Sequence, residues 1–228
     1  MSATPGRRTA RRAGSVGVLT SGGVESAALI AWALERFNRV TPLYVRAGLR
    51  WESAERRWLG RLVTRLASAR LDAPVVLDVP VRDLYGRHWS VTGRGVPDAD
   101  SLDSAVYLPG RNLLLLSKAA VYAALHGLDA LAVGPLKDNP FSDATPAFFN
   151  AMSLAIQRGL DAPIRIETPF RARHKAEVIA QYRDAPWDLT FSCIRPMGLR
   201  HCGQCNKCAE RSKAFVEAGI QDQTRYAR

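Results

Sequence analysis

No stretch of this sequence approaches the ~18–20 consecutive apolar residues that a membrane-spanning helix needs. Its first residues also lack the apolar core of a secretion signal. The chain is therefore expected to be soluble and cytoplasmic, with no membrane partner. It has no internal repeat and no low-complexity block, which excludes a repeat array or a compositionally biased fibre. A GxxxxGK[S/T] sequence is missing, so a Walker-type phosphate loop is excluded. No Ser–His–acid set and no zinc-hydrolase histidine pair stands out, which removes two common hydrolytic centres. Cysteine is scarce: the four present all lie between Cys193 and Cys208. Without a secretion signal the compartment is expected to be reducing, and such clustering points to metal rather than disulfides. Acidic residues are also in the minority, 21 against 32 Lys and Arg, for a net charge of +11. That excess favours anionic ligands such as nucleotides and leaves contact with nucleic acid open.

What is present suits a folded protein. Of the 228 residues 47% are hydrophobic, enough for a sizeable core and against global disorder. The length suits one α/β domain, or one domain with a small appendage. Residues 1–14, with Arg7, Arg8, Arg11 and Arg12, read as a disordered basic tail, with a nucleic-acid-binding arm as the other reading. Residues 15–20 read as a strand, 25–37 as a helix, 40–46 as a strand, 51–69 as an amphipathic helix and 74–79 as a strand. This βαβαβ order predicts a parallel sheet.

Residues 81–107 show little periodicity and carry Gly86, Gly93, Gly95 and Pro97 with several aspartates. A loop of that length reads as a lid or as disorder. His88 and Trp89 lie within it, and a lone histidine there reads as structural. Order returns after Pro109-Gly110 with a long helix to residue 125. A strand at 128–133, a helix at 145–158, a strand at 164–168 and helices at 175–182 and 209–218 complete the chain. The polar loop after the fourth strand, with Lys137, Asp138 and Asp143, lies at a C-terminal strand end, where open parallel sheets bind ligands.

Two motifs carry the chemistry. Residues 16–30, VGVLTSGGVESAALI, run from a strand through a glycine turn into a helix. Thr20, Ser21, Gly22, Gly23, Val24, Glu25 and Ser26 then offer amides, hydroxyls and a tight backbone to an anion such as a nucleotide pyrophosphate. Glu25 beside bound phosphates makes sense as a magnesium ligand. The second motif is Cys193-x8-Cys202-x2-Cys205-x2-Cys208, whose two-residue spacings let a turn present sulfurs to one zinc ion. An iron–sulfur cluster is the rival occupant, and His201 is a spare ligand that four cysteines make unnecessary. Arg111, Lys137, Arg173 and Lys175 are further candidates to meet an anionic ligand.

Taken together, these residues resemble a known family. Ser21-Gly22-Gly23-Val24-Glu25-Ser26 is similar to the SGGxDS loop of the N-type ATP pyrophosphatases. The segment from Leu108 to Leu114 (LPGRNLL), Ile166-Glu167-Thr168-Pro169, Lys175-Ala176-Glu177 and the cysteine pattern narrow the resemblance to the 7-cyano-7-deazaguanine synthase (QueC/ExsB) family. It runs from about residue 15 to 220. It implies an adenine nucleotide alpha hydrolase-like, Rossmann-like open parallel sheet with helices on both faces and a small C-terminal zinc knuckle. The expected division is a tail at 1–14, an ATP-binding domain at 15–190 and a knuckle with its helix at 191–228.

The implied activity is ATP-dependent ligation. A deazapurine carboxylate is adenylated, ammonia displaces AMP to give an amide, and a second activation dehydrates the amide to a nitrile. The loop residues 20–26 then hold ATP, Glu25 helps hold magnesium, and Arg111 and Lys175 act as catalytic cationic clamps. Lys137, Asp138 and Asp143 face the substrate, zinc is structural, and a homodimer is left open. Three departures from the family pattern stand out. Glu25 replaces Asp, residues 45–51 (VRAGLRW) replace the family's Asn-Tyr-Gly-Gln region, and residues 139–146 (NPFSDATP) lack its Ser-Gly-Tyr-Pro-Asp-Cys-Arg stretch. These changes leave room for an enzyme that stops at the amide, acts on another carboxylate or modifies tRNA.

Overall fold

The computed structural model describes residues 14–227. The basic tail expected at residues 1–14, including its four arginines, lies outside the described residues apart from Gly14. Five parallel strands form the sheet: β1 (Ser15–Leu19), β2 (Arg39–Arg46), β3 (Val75–Asp78), β4 (Ala130–Ala132) and β5 (Arg165–Glu167). Their order is β3-β2-β1-β4-β5. β1 is central because it is covered on both faces. Val16 and Val18 turn to one side, where they pack with Leu29 and Ile30 of α1 (Val24–Arg36) and Leu59 and Leu62 of α2 (Glu52–Arg65). The other side, which holds Leu43 and Leu131, meets α5 (Arg111–Leu125) and α6 (Pro146–Leu160). A Cβ at Gly17 would stand 2.7 Å from Leu43 Cδ1 and 2.9 Å from Leu131 Cδ2. Only a residue without a side chain lets those leucines close over the strand. Doubly covered parallel strands read as near-continuous apolar runs, as seen in the sequence.

Two helix boundaries differ from expectation by three residues or more. α2 stops at Arg65 instead of residue 69, because the following residues leave the helix to pair with β2. Val40 N–H donates to Arg70 O at 2.8 Å and Asp72 N–H to Val40 O at 2.9 Å. The last helix, α8 (Asn206–Glu217), begins earlier than residue 209, because Cys205 is already its extended N-cap. α8 lies against α7 (Lys175–Gln181) and sends Ala214 and Phe215 into the same core as α1.

The disorder reading of residues 81–107 is corrected. Two short helices, α3 (Arg82–Tyr85) and α4 (Trp89–Thr92), and a 3-10 turn at Asp103–Val106 run through it. Val81, Val91 and Val106 are buried in a cluster with Leu49, Trp51, Phe191 and all four cysteines. Trp89 stacks on Trp51 with ring centres 5.5 Å apart. The anchors are single and irregularly spaced, which is why no period showed in the sequence. His88 caps the second short helix, its Nδ1 accepting from Ser90 N–H at 3.3 Å. None of the helices described is long and apolar enough to cross a membrane.

Candidate functional site

The strand order reverses between β1 and β4, and the crevice at such a switch point is where open α/β sheets receive ligands. The chain leaves β1 there through the glycine turn. Thr20 anchors it, its N–H and hydroxyl both donating to Leu43 O, at 2.9 and 3.3 Å. Gly22 adopts φ +83°, in the left-handed region. Ser26 Oγ accepts from Ser21 N–H at 2.9 Å and folds the turn back on the helix. Gly23 is the N-cap and offers no side chain to bond the amides behind it. The first turn of α1 thus presents N–H groups and the positive end of its dipole at the crevice.

A Cβ at Gly22 would also approach Glu55 O to 3.2 Å and Leu59 Cβ to 3.3 Å. Gly22→Ala is therefore expected to cost about 1–3 kcal/mol through backbone strain. Thermal unfolding of the variant against the unaltered protein reads that loss.

A cleft of about 920 Å³ opens at this edge of the sheet. Of the residues singled out in the sequence, Thr20, Ser21, Gly23, Glu25, Ser26, Arg111, Asp138 and Lys175 line it. Gly22, Val24, Lys137 and Asp143 are absent from the lining. Val24 is buried in the core. Lys137 Nζ sits 3.2 Å from His174 Nε2 at the rim, and His174 Nδ1 meets Asp138 Oδ2 at 2.5 Å. Asp143 accepts from Asn112 N–H at 2.9 Å, and its carbonyl accepts from the Asn112 side-chain amide at 2.8 Å, which fixes the start of α5. Arg173 is exposed beside His174, outside the lining.

Lys175 reaches across to the glycine turn. Its Nζ lies 2.8 Å from Glu25 Oε1 and also contacts Glu210 of α8, which in turn meets Lys207 at 2.5 Å. Burial alone would lower the Lys175 pKa, but Glu25 and Glu210 outweigh it and raise it above the ordinary lysine value. Burial likewise opposes ionisation of Glu210, yet Lys175 and Lys207 hold its carboxyl down at about 2. The side-chain cation thus stays charged beside the turn.

Sequence reading missed a second group. Tyr44, two residues before the end of β2, donates its hydroxyl to Glu55 Oε2 at 2.9 Å. Both line the cleft with Glu52, which accepts from Ala47 N–H at 2.6 Å and Gly48 N–H at 3.0 Å. Burial pushes Glu55 up to about 7, against the pull of Arg111. In the sequence Glu52 and Glu55 look like ordinary acids in a helix's first turn. Glu210, Lys207 and His174 carried no signal either, because their partners come from distant segments.

Behind this wall lie the cysteines. All four are buried and free, and their sulfurs lie within 4.8 Å of one another. Cys193 and Cys205 are 3.8 Å apart, and Cys202 and Cys208 4.0 Å. A tetrahedron with ~2.3 Å metal–sulfur arms has edges of about 3.8 Å, so the set suits a four-coordinate ion. Arg195 and Cys202 N–H groups point at Cys193 Sγ, at 3.4 and 3.3 Å, as donors to a thiolate would. His201 is buried with Nε2 accepting from Ser192 N–H at 3.0 Å, so its ring is already used. Burial, reinforced by Arg211, lowers its pKa to about 4 and keeps it neutral.

The sequence pattern of the family described as "Queuosine biosynthesis protein QueC" matches residues 15–219, the glycine turn and the cysteine set included. The chain belongs to the QueC family. Among curated relatives, the 7-cyano-7-deazaguanine synthase of Methanopyrus kandleri is 32% identical, over 92% of this chain and 97% of its own. The synthase of Anaeromyxobacter dehalogenans is 31% identical over 92% and 95%, and that of Xanthomonas oryzae 33% over 92% and 96%. These alignments run nearly end to end in each relative, so QueC membership covers the cleft, the loop and the cysteine centre together.

Proposed function

We propose that the chain is an ATP-dependent ligase that converts a 7-carboxy-7-deazapurine to its amide and then its nitrile, releasing AMP and pyrophosphate at each activation. The observation that carries this reading is the glycine turn at the sheet's switch point with Lys175 held across it by Glu25. Such a site suits the cleavage of ATP between its α- and β-phosphates. The names of the relatives supply the substrate class.

In this reading the substrate carboxylate, a poor electrophile, attacks the α-phosphate and gains a leaving group. The amides of Gly23 and the first turn of α1 receive the phosphates, with the Ser21 and Ser26 hydroxyls beside them. Lys175 neutralises charge on the departing pyrophosphate, and Arg111 meets the substrate carboxylate. Magnesium, held by Glu25, would supply further charge neutralisation at the phosphates. Asp138 and Lys137 bound the substrate end near the rim, and Asp143 supports it by fixing α5. Zinc in the cysteine set is structural. Residues 15–190 form the ATP-binding body, 191–228 its metal-braced wall, and the reaction is cytoplasmic.

The test is release of AMP and pyrophosphate from ATP, measured with 7-carboxy-7-deazaguanine and ammonium salt, and separately with tRNA. Release that needs the small acid supports the ligase; release that needs tRNA overturns it. Glu25→Gln keeps the shape but loses the charge. It is expected to raise the magnesium concentration needed for half-maximal rate at least tenfold, and an unchanged requirement removes Glu25 from that role.

A further inference from the structure

Forming an amide from an acyl adenylate and ammonia releases a proton, and the cleft contains a carboxylate placed to receive it. We propose that Glu55, held by Tyr44, is the proton acceptor of the ammonia step. This rests on the ligase reading and adds to it a residue outside the phosphate loop and the cationic clamps.

Glu55 is only 8% exposed, yet it lines the cleft. It sits in the first turn of α2, directly under the glycine turn, where its carbonyl oxygen would stand 3.2 Å from a Cβ at Gly22. Tyr44, itself buried, donates to its Oε2 at 2.9 Å and fixes the carboxylate's orientation. Trp51, stacked on Trp89 at the cleft lining, also hydrogen-bonds the Glu55 carboxylate. The charged and titratable groups facing Glu55 are Tyr44 from β2, Glu52 from its own helix and Arg111 from the start of α5. Glu52 is occupied by the amides of Ala47 and Gly48. Glu55 is therefore the acid of this group whose carboxylate is not committed to backbone. It shares its corner with Arg111, the residue assigned to the reacting carboxylate.

The step balances without a redox partner. The ammonia lone pair forms the C–N bond to the acyl carbon, and the nitrogen of the adduct becomes positive. Glu55 takes one N–H proton, the C–O bond to AMP breaks, and the electron pair leaves with AMP. Acyl adenylate and ammonia thus give amide, AMP and one proton on Glu55, which passes to solvent when the cleft opens. Burial places Glu55 near 7, where a base of this kind is most effective. Its neutral form also tolerates an incoming carboxylate beside Arg111.

Two rates measured on the full-length protein from pH 6 to 9.5 test this. One is ATP–pyrophosphate exchange with 7-carboxy-7-deazaguanine, which reads adenylation. The other is amide formation, expressed against free ammonia calculated at each pH. In the unaltered protein the second rate is expected to rise through about pH 7 and then level. In Glu55→Gln the ratio of amide formation to exchange should fall about 100-fold and lose that rise. Tyr44→Phe keeps the carboxylate but removes a donor to it, so the rise should move up by about one pH unit. This second variant tests the assignment independently if Glu55→Gln is not recovered folded. A ratio within threefold of the unaltered protein in Glu55→Gln, or an unmoved rise in Tyr44→Phe, overturns the assignment. Equal losses in both rates at every pH would make Glu55 structural. Absence of exchange in the unaltered protein overturns the ligase reading itself.

Discussion

Lys175→Met is expected to abolish detectable turnover and to lower stability by about 3–5 kcal/mol, the usual cost of removing one partner from a buried ion pair. The side chain is 13% exposed and touches both Glu25 and Glu210, each 27% exposed. Without the ammonium, two carboxylates face each other beside the glycine turn, where the proposed ATP would bring further negative charge. In a chain of this size the loss should lower the thermal midpoint by roughly 6–15 °C.

The pH dependence follows from the same groups. Glu210 is held at about 2 against an ordinary 4.5, so its contribution is present above pH 4.5 and fades as pH falls towards 2. Lys175 is raised above 10.5, so its contribution is present below pH 10.5 and fades above it. The stability difference between the unaltered protein and Lys175→Met should therefore be flat across neutral pH. Adding Glu25→Gln to Lys175→Met should return part of the stability and none of the activity. Recovery of activity in the double variant would show that Lys175 only offsets Glu25.

The second large effect concerns the cysteines. Treatment with a strong chelator, or Cys205→Ser, is expected to remove the one equivalent of zinc proposed for the cysteine set and to destabilise the protein severely. Structural zinc contributes on the order of 10 kcal/mol in small domains. Here the sulfurs belong to the same buried cluster as Trp51, Val81, Val91 and Val106. Cys205 also caps α8, and Asn206 N–H after it bonds Pro97 O at 3.1 Å. Losing the ion should therefore loosen residues 81–107 and the cleft wall together. Metal analysis with thermal unfolding before and after chelation is the check. A metal-free protein of unchanged stability would remove zinc from the fold, and iron with visible absorbance would replace it.

Local patterns were legible in the sequence and distant pairings were not. The glycine turn and the cysteine spacing could be read because each concentrates its chemistry within a few residues. The strands could be read because the central ones are covered on both faces. The Tyr44–Glu55 bond joins a strand to a helix, and the Lys175–Glu210 contact spans α7 and α8. No local period marks either pair. Residues 81–107 looked structureless because three isolated valines, Trp89 and backbone contacts to the knuckle hold them. Lys137 and Asp143 were read from their place after β4. That loop folds so that one lies at the rim and the other supports α5.

Mass spectrometry of the product from 7-carboxy-7-deazaguanine, ATP, magnesium and ammonium salt tests the ligase most directly. The expected result is an amide that appears first and a nitrile that replaces it, with AMP formed at each activation. Unchanged acid with ATP intact, while the protein holds its metal and binds ATP, would contradict it.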